Sequence, residues 1–147
     1  MRRKERIRVD ESLNLGTGSL TMKQVNFMLN HLPLELSFVD KDRIIQYFNN
    51  VPGEKLFNRT PTSIGRDMLY AHPPKSKGMV EKLLNDLETG VKDKQDAWYQ
   101  KKDGTVVHIT FAAVRDEVGN FLGVLEYVQD ITDFTQLEGD NRDVNAK

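Results

Sequence analysis

Two segments of alternating character near the C-terminal end restrict the fold of this chain more than any other feature. Residues 105–114 read TVVHITFAAV, residues 121–132 read FLGVLEYVQDIT, and residues 117–120 between them read EVGN. Two such segments joined by a short polar turn predict an antiparallel β-hairpin. A four-residue loop sets Asp116 opposite Phe121 and then creates three further pairs: Ala113 with Val124, Phe111 with Glu126, and Ile109 with Val128.

This pairing gives the hairpin one face that is apolar at every position except Glu126. A register in which Gly119 formed a bulge would mix apolar and polar side chains on both faces, so the apolar consistency favours the four-residue loop. We therefore predict that this face is buried and lines the core or a pocket. Its other members are Val107, Ile109, Phe111, Ala113, Val124 and Val128.

Glu126 is the charged side chain on this predicted buried face. A carboxylate removed from water is costly unless it has a partner, and its pKa rises unless a cation or a hydrogen-bond donor is near. A few polar groups in an apolar cleft are typical of ligand sites, which makes Glu126 a candidate ligand-binding residue. Two alternatives stay open: a structural partner for the carboxylate, or a side chain that reaches solvent at the sheet edge.

Two helices are predicted from capping signals and periodicity. Thr21 and Gln24 fit a capping box, and the apolar pattern that follows them ends at Pro33. The second helix follows a pair of prolines, stops at Gly90 and has an apolar stripe at helical spacing, made of Val80, Leu83, Leu84 and Leu87.

Three further strands are predicted outside the C-terminal hairpin. Two lie near residues 36–40 and 44–49, and residues 51–71 then form short helical turns because prolines and glycines interrupt them. The third, DAWYQK, reaches the next strand through Asp103-Gly104, a strong turn signal. A two-residue turn there sets Trp98 opposite Ile109 and points it inward. The element order indicates an α+β fold with an antiparallel sheet and its helices on one face.

This order of elements resembles the PAS sensor fold. The residues that carry the resemblance read FVDKDRIIQYFN, IGRDMLYAHPPKS and KKDGTVVHITFAAVRDEVGNFLGVLEYVQDIT, and the last stretch ends in the Asp-Ile-Thr motif that closes many PAS domains. LGTGSLTMKQVNFMLNHLP and YAHPPKS are similar to the PAS module of bacterial proteins that also carry a hemerythrin-like domain and an N-terminal domain of unknown function. The predicted boundaries are a flexible arm or linker over 1–19, the PAS domain over 20–134, and a polar tail over 135–147.

The resemblance implies a five-stranded antiparallel sheet, an N-terminal capping helix, and a ligand pocket between the sheet and the helices. It implies sensing or protein interaction without catalysis, and it does not name a ligand. Glu126 and the apolar sheet residues of its face would line the pocket with Val39 and Trp98. From the helical side, Met68, Tyr70, His72 and Leu83 would close it.

His72 precedes Pro73 and Pro74, which suit the start of a helix. We interpret it first as helix punctuation and second as a group at the pocket rim. A heme sensor with His72 as axial ligand is an alternative, and heme or flavin is not otherwise indicated. The three histidines lack metal-ligand spacing, so no metal site is predicted.

Composition limits the kinds of partner and the compartment that this chain is expected to have. The net charge of −1 argues against a nucleic-acid partner, and no apolar run is long enough to cross a bilayer. The chain has no cysteine, which fits a reducing compartment, and we expect it in the cytoplasm. The outer sheet face, with Val106, Ala112, Leu125 and Tyr127, is too apolar to lie open in water. A homodimer through that face and the N-terminal helix is therefore expected, and a structural dimerisation module without ligand is the alternative function.

Overall fold

The structure is a computed structural model and describes residues 11–145. Its centre is a five-stranded antiparallel sheet whose strand order is β4-β3-β7-β6-β5. The strands are β3 (Glu35–Asp40), β4 (Ile45–Phe48), β5 (Lys94–Gln100), β6 (Val106–Arg115) and β7 (Phe121–Asp130). The chain therefore has the predicted α+β class and the five-stranded antiparallel sheet that the resemblance implies.

The predicted register of the β6–β7 hairpin is confirmed along most of its length. Phe111 faces Glu126, and the pairs on either side of them follow the predicted order. The pairing shifts by one residue between Val114 and Arg115, so Arg115 rather than Asp116 faces Phe121. The predicted four-residue loop is wrong by one residue, because Asp116 pairs with Asn120 and the loop is 117–119. Leu122 is the extra residue that restores the predicted register in the rest of the hairpin.

Both predicted helices form. Helix α1 (Met22–Asn30) begins with the complete capping box of Thr21 and Gln24. Helix α2 (Pro74–Thr89) has a proline at its first position and ends at Gly90, whose φ of 84° is the left-handed conformation that glycine adopts without strain. Three short 3₁₀ helices span Pro61–Ser63, Met68–Ala71 and Asp133–Gln136.

The hydrophobic core lies between α2 and the sheet. Leu87 is fully buried, because the stripe predicted for α2 packs against the sheet. The buried residues that form this cluster come from α2, β3, β7 and the 3₁₀ helix before α2: Val39, Met68, Val80, Leu84, Leu87 and Val124.

The N-terminal region is more ordered than the predicted arm over 1–19 implies. Strands β1 (Ser12–Asn14) and β2 (Ser19–Thr21) form a small hairpin directly before α1. Residues 1–10 of that predicted arm, and residues 146–147 of the predicted tail, lie outside the described residues.

The predicted inward position of Trp98 is wrong. The turn between β5 and β6 has three residues instead of two, because Lys101 and Thr105 form the last hydrogen-bonded pair before it. Gly104 takes the left-handed position of this turn with a φ of 94°. The extra residue moves Trp98 opposite His108 on the outer face, where it is 71% exposed.

Candidate ligand-binding site

A cavity of about 310 Å³ lies between the inner face of the sheet and the irregular segment before α2. Ser37, Val39 and Glu126 form its sheet side, so the face that carries Glu126 does open into a cavity. Its remaining lining comes from β4 and from residues 57–72: Ile45, Phe48, Phe57, Asn58, Arg59, Thr60, Ser63, Met68, Ala71 and His72.

Arg59 lies between two carboxylates: Glu126, which also lines this cavity, and Glu35, which does not. Its Nη2 is 3.6 Å from Oε1 of Glu126, and its Nη1 is 3.7 Å from Oε1 of Glu35. Both distances exceed the length of a charged hydrogen bond. Nη1 is buried, and the described residues offer it no hydrogen-bond partner. The guanidinium is thus neutralised by its neighbours while its hydrogen-bonding capacity is not used.

Glu35 positions the segment that carries Arg59. Its carboxylate accepts hydrogen bonds from the backbone N–H groups of Leu56, at 2.8 Å, and Phe57, at 3.2 Å. Glu35 is 6% exposed, and these two bonds satisfy a carboxylate that would otherwise be costly to bury. The loop is therefore fastened to β3 immediately before Arg59.

The pKa of Glu126 is raised because burial disfavours its charged form. The positive charge of Arg59, and to a smaller extent His72, acts in the opposite direction. The Glu126 side chain is 14% exposed, and its contact with Arg59 is an ion pair without a hydrogen bond. A buried acid with this environment, aimed at a cavity, is typical of functional sites.

His72 lies at the rim of the cavity, as the second of its two interpretations predicts. Its Nδ1 is 2.9 Å from the backbone oxygen of Met68, and a carbonyl oxygen can only accept. Nδ1 therefore carries a proton and donates to this oxygen, which leaves Nε2 for other partners. His72 has the extended backbone expected before a proline, and it ends the 3₁₀ helix Met68–Ala71. Pro73, and not His72, is the N-cap residue of α2.

The predicted pocket residues are divided among three cavities and the packed core. Val39, Met68, His72 and Glu126 line the first. A second cavity of about 520 Å³, between α2 and strands β5 and β6, is lined by three predicted residues, Leu83, Ile109 and Phe111, and again by His72. Val128 lines a third cavity, of about 390 Å³. Val107 and Val124 are at most 2% exposed and pack inside the domain.

Tyr70 does not line either cavity. It is 79% exposed, because the short 3₁₀ helix points Met68 into the core and Tyr70 toward solvent, where the Lys77 ammonium lies 5.0 Å from its ring. Its predicted pocket role is therefore wrong, as is that of the exposed Trp98.

Arg59 was missed by the sequence reasoning. A buried Glu126 carboxylate is expected to have a cation or a hydrogen-bond donor nearby. The segment FNRTPTS contains such a cation, Arg59. Arg66, only a few residues away, is exposed and has the same chemistry. Nothing in the local sequence separates the two arginines, since the choice depends on the fold of residues 51–71.

The described residues contain no cluster of histidine, aspartate or glutamate that could hold a metal ion. Among residues 11–145, no helix is both long and apolar enough to cross a membrane.

Comparison with known proteins places this site in a family. A family model described as PAS domain matches residues 25–132. The solved C-terminal domain of a protein from Streptococcus mutans is 45% identical over 89% of this chain and 100% of that one, with a TM-score of 0.85.

More distant structures share the fold alone. The PAS domain of a protein from Colwellia psychrerythraea is 19% identical, covers 76% of this chain and 98% of its own, and has a TM-score of 0.53. The PAS domain of BvgS from Bordetella pertussis is 14% identical, with coverages of 75% and 85% and a TM-score of 0.53. No curated protein matches the chain.

Proposed function

Because this chain belongs to the PAS domain family, we propose that it is a sensory module whose cavity beside Glu126 binds a small molecule. Ligand binding favours one of two arrangements of the domain, and the flanking segments report the change. The module acts by binding and not by turnover.

The observation that carries this proposal is the unused polar capacity of the cavity. Nη1 of Arg59 is buried without a hydrogen-bond partner, and Glu126 meets Arg59 only as an ion pair. A stable core normally satisfies such groups, because an unpaired buried donor costs free energy. A ligand that hydrogen-bonds to Arg59 and Glu126 would supply the hydrogen bonds that the protein itself does not make.

Strand β7 links the cavity to the C-terminal segment. Glu126 lies in this strand, which ends at Asp130, and the carboxylate of Asp130 accepts a hydrogen bond from the backbone N–H of Thr132. The Thr132 hydroxyl in turn accepts from the backbone N–H of Val106 on β6. A change in β7 on ligand binding would therefore reach the Asp-Ile-Thr motif through hydrogen bonds.

The test is a thermal shift measurement with fractionated cell metabolite extract. We expect at least one fraction to raise the Tm of the protein, and we expect this shift to disappear in Arg59→Gln. Arg66→Gln is the matched control, because Arg66 is exposed and its loss leaves the cavity intact. A Tm that no fraction changes, together with the absence of bound small molecules in protein purified from cells, would refute the sensory proposal.

A second role, homodimerisation, is supported by the N-terminal helix. Helix α1 contains no buried residue, and its apolar side chains include Phe27 and Met28, which are 51% and 55% exposed. Trp98 exposes a further aromatic surface on the outer sheet face. We propose that two copies of the chain pair through α1 and this face, which would bury these side chains.

Light scattering coupled to size exclusion tests the dimer. The wild type is expected to be dimeric and Phe27→Gln to be monomeric, while Val118→Gln, which changes an exposed residue of the β6–β7 turn, leaves the mass unchanged. A wild-type protein that stays monomeric at high concentration would rule the dimer out.

The setting of the module is also a proposal. We place it in the bacterial cytoplasm, in a protein that also contains a hemerythrin-like domain, and the description of the Streptococcus mutans neighbour as a C-terminal domain supports such a multidomain setting. Heme is not proposed as the ligand. Arg59 and Glu126 form a charged pair in the cavity that His72 also lines, and this pair does not fit the apolar body of a heme.

A further inference from the structure

We propose that the ligand is a small carboxylate that also carries a hydroxyl or amino group and an apolar side group. Its carboxylate would bind Arg59, and its hydroxyl or amino group would donate to Glu126. This inference rests on the proposed sensory function and names the chemical class of the ligand.

Arg59 is the residue from which we infer that the ligand carries a carboxylate. The Glu35 carboxylate already accepts two backbone hydrogen bonds and lies 3.7 Å from Nη1, so it balances the charge of Arg59 without using its donors. The planar guanidinium fork matches a carboxylate and forms two parallel hydrogen bonds with it. An acceptor that reached Nη1 would satisfy a buried donor for which the described residues offer no partner.

Glu126 is the residue from which we infer that the ligand also carries a hydrogen-bond donor. A ligand made only of acceptors would set its negative charge beside the Glu126 carboxylate, whose charged form is already disfavoured by burial. A hydroxyl or amine donates to this carboxylate and removes the conflict. His72 also lines the rim, and its Nε2 is not engaged by the Met68 carbonyl oxygen.

The remaining walls and the size of the cavity restrict the rest of the molecule. Val39, Ile45, Phe48, Phe57 and Met68 provide apolar lining that would bury a hydrocarbon side group. A volume of about 310 Å³ is at the lower end of the range of ligand pockets, which is roughly 300–1,000 Å³. These features together indicate a 2-hydroxy or 2-amino acid with an apolar side group.

The experiment is isothermal titration calorimetry of the full chain with a matched panel of probes at millimolar concentration. The panel contains 2-hydroxy and 2-amino acids with methyl, isobutyl and benzyl side groups. Each is paired with the analogue that lacks the donor, such as 4-methylpentanoate, and with the amine or alcohol that lacks the carboxylate, such as 3-methylbutylamine or 3-methylbutan-1-ol. We expect at least one complete acid to bind about tenfold or more tightly than both of its analogues, the loss typical of a charged hydrogen bond.

Two substitutions assign the two contacts. Arg59→Gln is expected to weaken binding of the complete acids about tenfold or more. Glu126→Gln keeps an acceptor but loses the charge, so it weakens the amino acids more than the hydroxy acids. Arg66→Gln and Glu117→Gln change exposed residues of the same kind and are expected to leave binding unchanged.

The outcomes separate this inference from the proposed function. Failure of every complete acid to bind, or equal binding by the analogue without a carboxylate, overturns the ligand class. If an extract fraction still raises the Tm in that case, the sensory function stands and its ligand belongs to another class. If neither the panel nor any fraction binds, both proposals are overturned. Circular dichroism of each variant establishes that it is folded, and Arg59→Lys provides a second variant that retains the charge but not the fork.

Discussion

Replacement of Asn49 by alanine tests how α1 is attached to the sheet. The Asn49 side chain accepts a hydrogen bond from the backbone N–H of Leu36 at 2.8 Å. It donates to the backbone oxygens of Leu29, in α1, at 2.7 Å and of Leu34 at 3.0 Å. Since α1 has no buried residue, the bond to Leu29 and the bond from the Asn50 N–H to Asn30 are contacts that hold its C-terminal end in place.

The expected loss follows from the number of bonds. Asn49 is 6% exposed, so water does not readily replace the three partners. At about 1 kcal/mol for each hydrogen bond, Asn49→Ala lowers the free energy of unfolding by about 3 kcal/mol. At about 3 °C per kcal/mol for a domain of this size, the Tm falls by about 9 °C.

Two measurements check this prediction. Equilibrium unfolding in urea gives the change in the free energy of unfolding, and hydrogen exchange shows whether the amides of α1 lose their protection. Asn50→Ala is the matched control, because Asn50 is exposed and the hydrogen bond at this position comes from its backbone N–H to Asn30. The control is expected to change stability by no more than about 0.5 kcal/mol.

Asn49→Asp separates the hydrogen bond that the Asn49 side chain accepts from the two that it donates. The aspartate keeps an oxygen for the Leu36 N–H but places a carboxylate against the backbone oxygens of Leu29 and Leu34. Its destabilisation should be at least as large as that of alanine. A loss below about 1 kcal/mol in Asn49→Ala, with α1 amides protected as in the Asn50 control, would refute the account of how α1 is held.

Three further substitutions test the fold and the electrostatics. Gly123→Ala would place its Cβ 2.2 Å from the backbone oxygen of Val39, so we expect the free energy of unfolding in urea to fall by about 3 kcal/mol or more. Gly119→Ala is the control, because its Cβ meets no neighbour within 4 Å, and we expect it to cost about 1 kcal/mol. Because burial raises the pKa of Glu126, the contribution of this residue to stability falls as pH rises above about 4.3 and through the folded pKa. Glu126→Gln should remove this contribution, and a pH dependence in urea titrations equal to that of the wild type would contradict the burial of the acid. Because Trp98 is exposed, Trp98→Ala should change the free energy of unfolding of the monomer by only about 0.5 kcal/mol. A loss of about 3 kcal/mol would show that Trp98 is buried and would contradict its position on the outer face.

Local sequence signals predicted the elements whose determinants are themselves local. The alternation of β6 and β7 and the short loop between them predicted that Phe111 faces Glu126, because a shift of one residue would have exposed the apolar face. The capping box of Thr21 and the stop at Gly90 were likewise readable from a few adjacent residues. Glu126 could be singled out because one charged residue on an apolar face is visible in the sequence.

Turn geometry could not be settled from the sequence at Asp103-Gly104. The same dipeptide suits a two-residue and a three-residue loop, and the choice reverses the face of every residue in β5. The structure has the longer loop, so Trp98 lies outside although its sequence context favours a buried aromatic.

The composition of the candidate site was decided by tertiary structure. Glu35, Arg59 and Glu126 are distant in sequence and meet only because the irregular segment 51–71 folds over the sheet. That segment has no periodicity from which side-chain directions could be read, so Arg59 and the outward Tyr70 were beyond sequence reasoning. The sequence alone determined the sheet face and the acid that it carries. The cation beside that acid, and the division of the predicted pocket residues among three cavities, depend on long-range packing that local patterns do not encode.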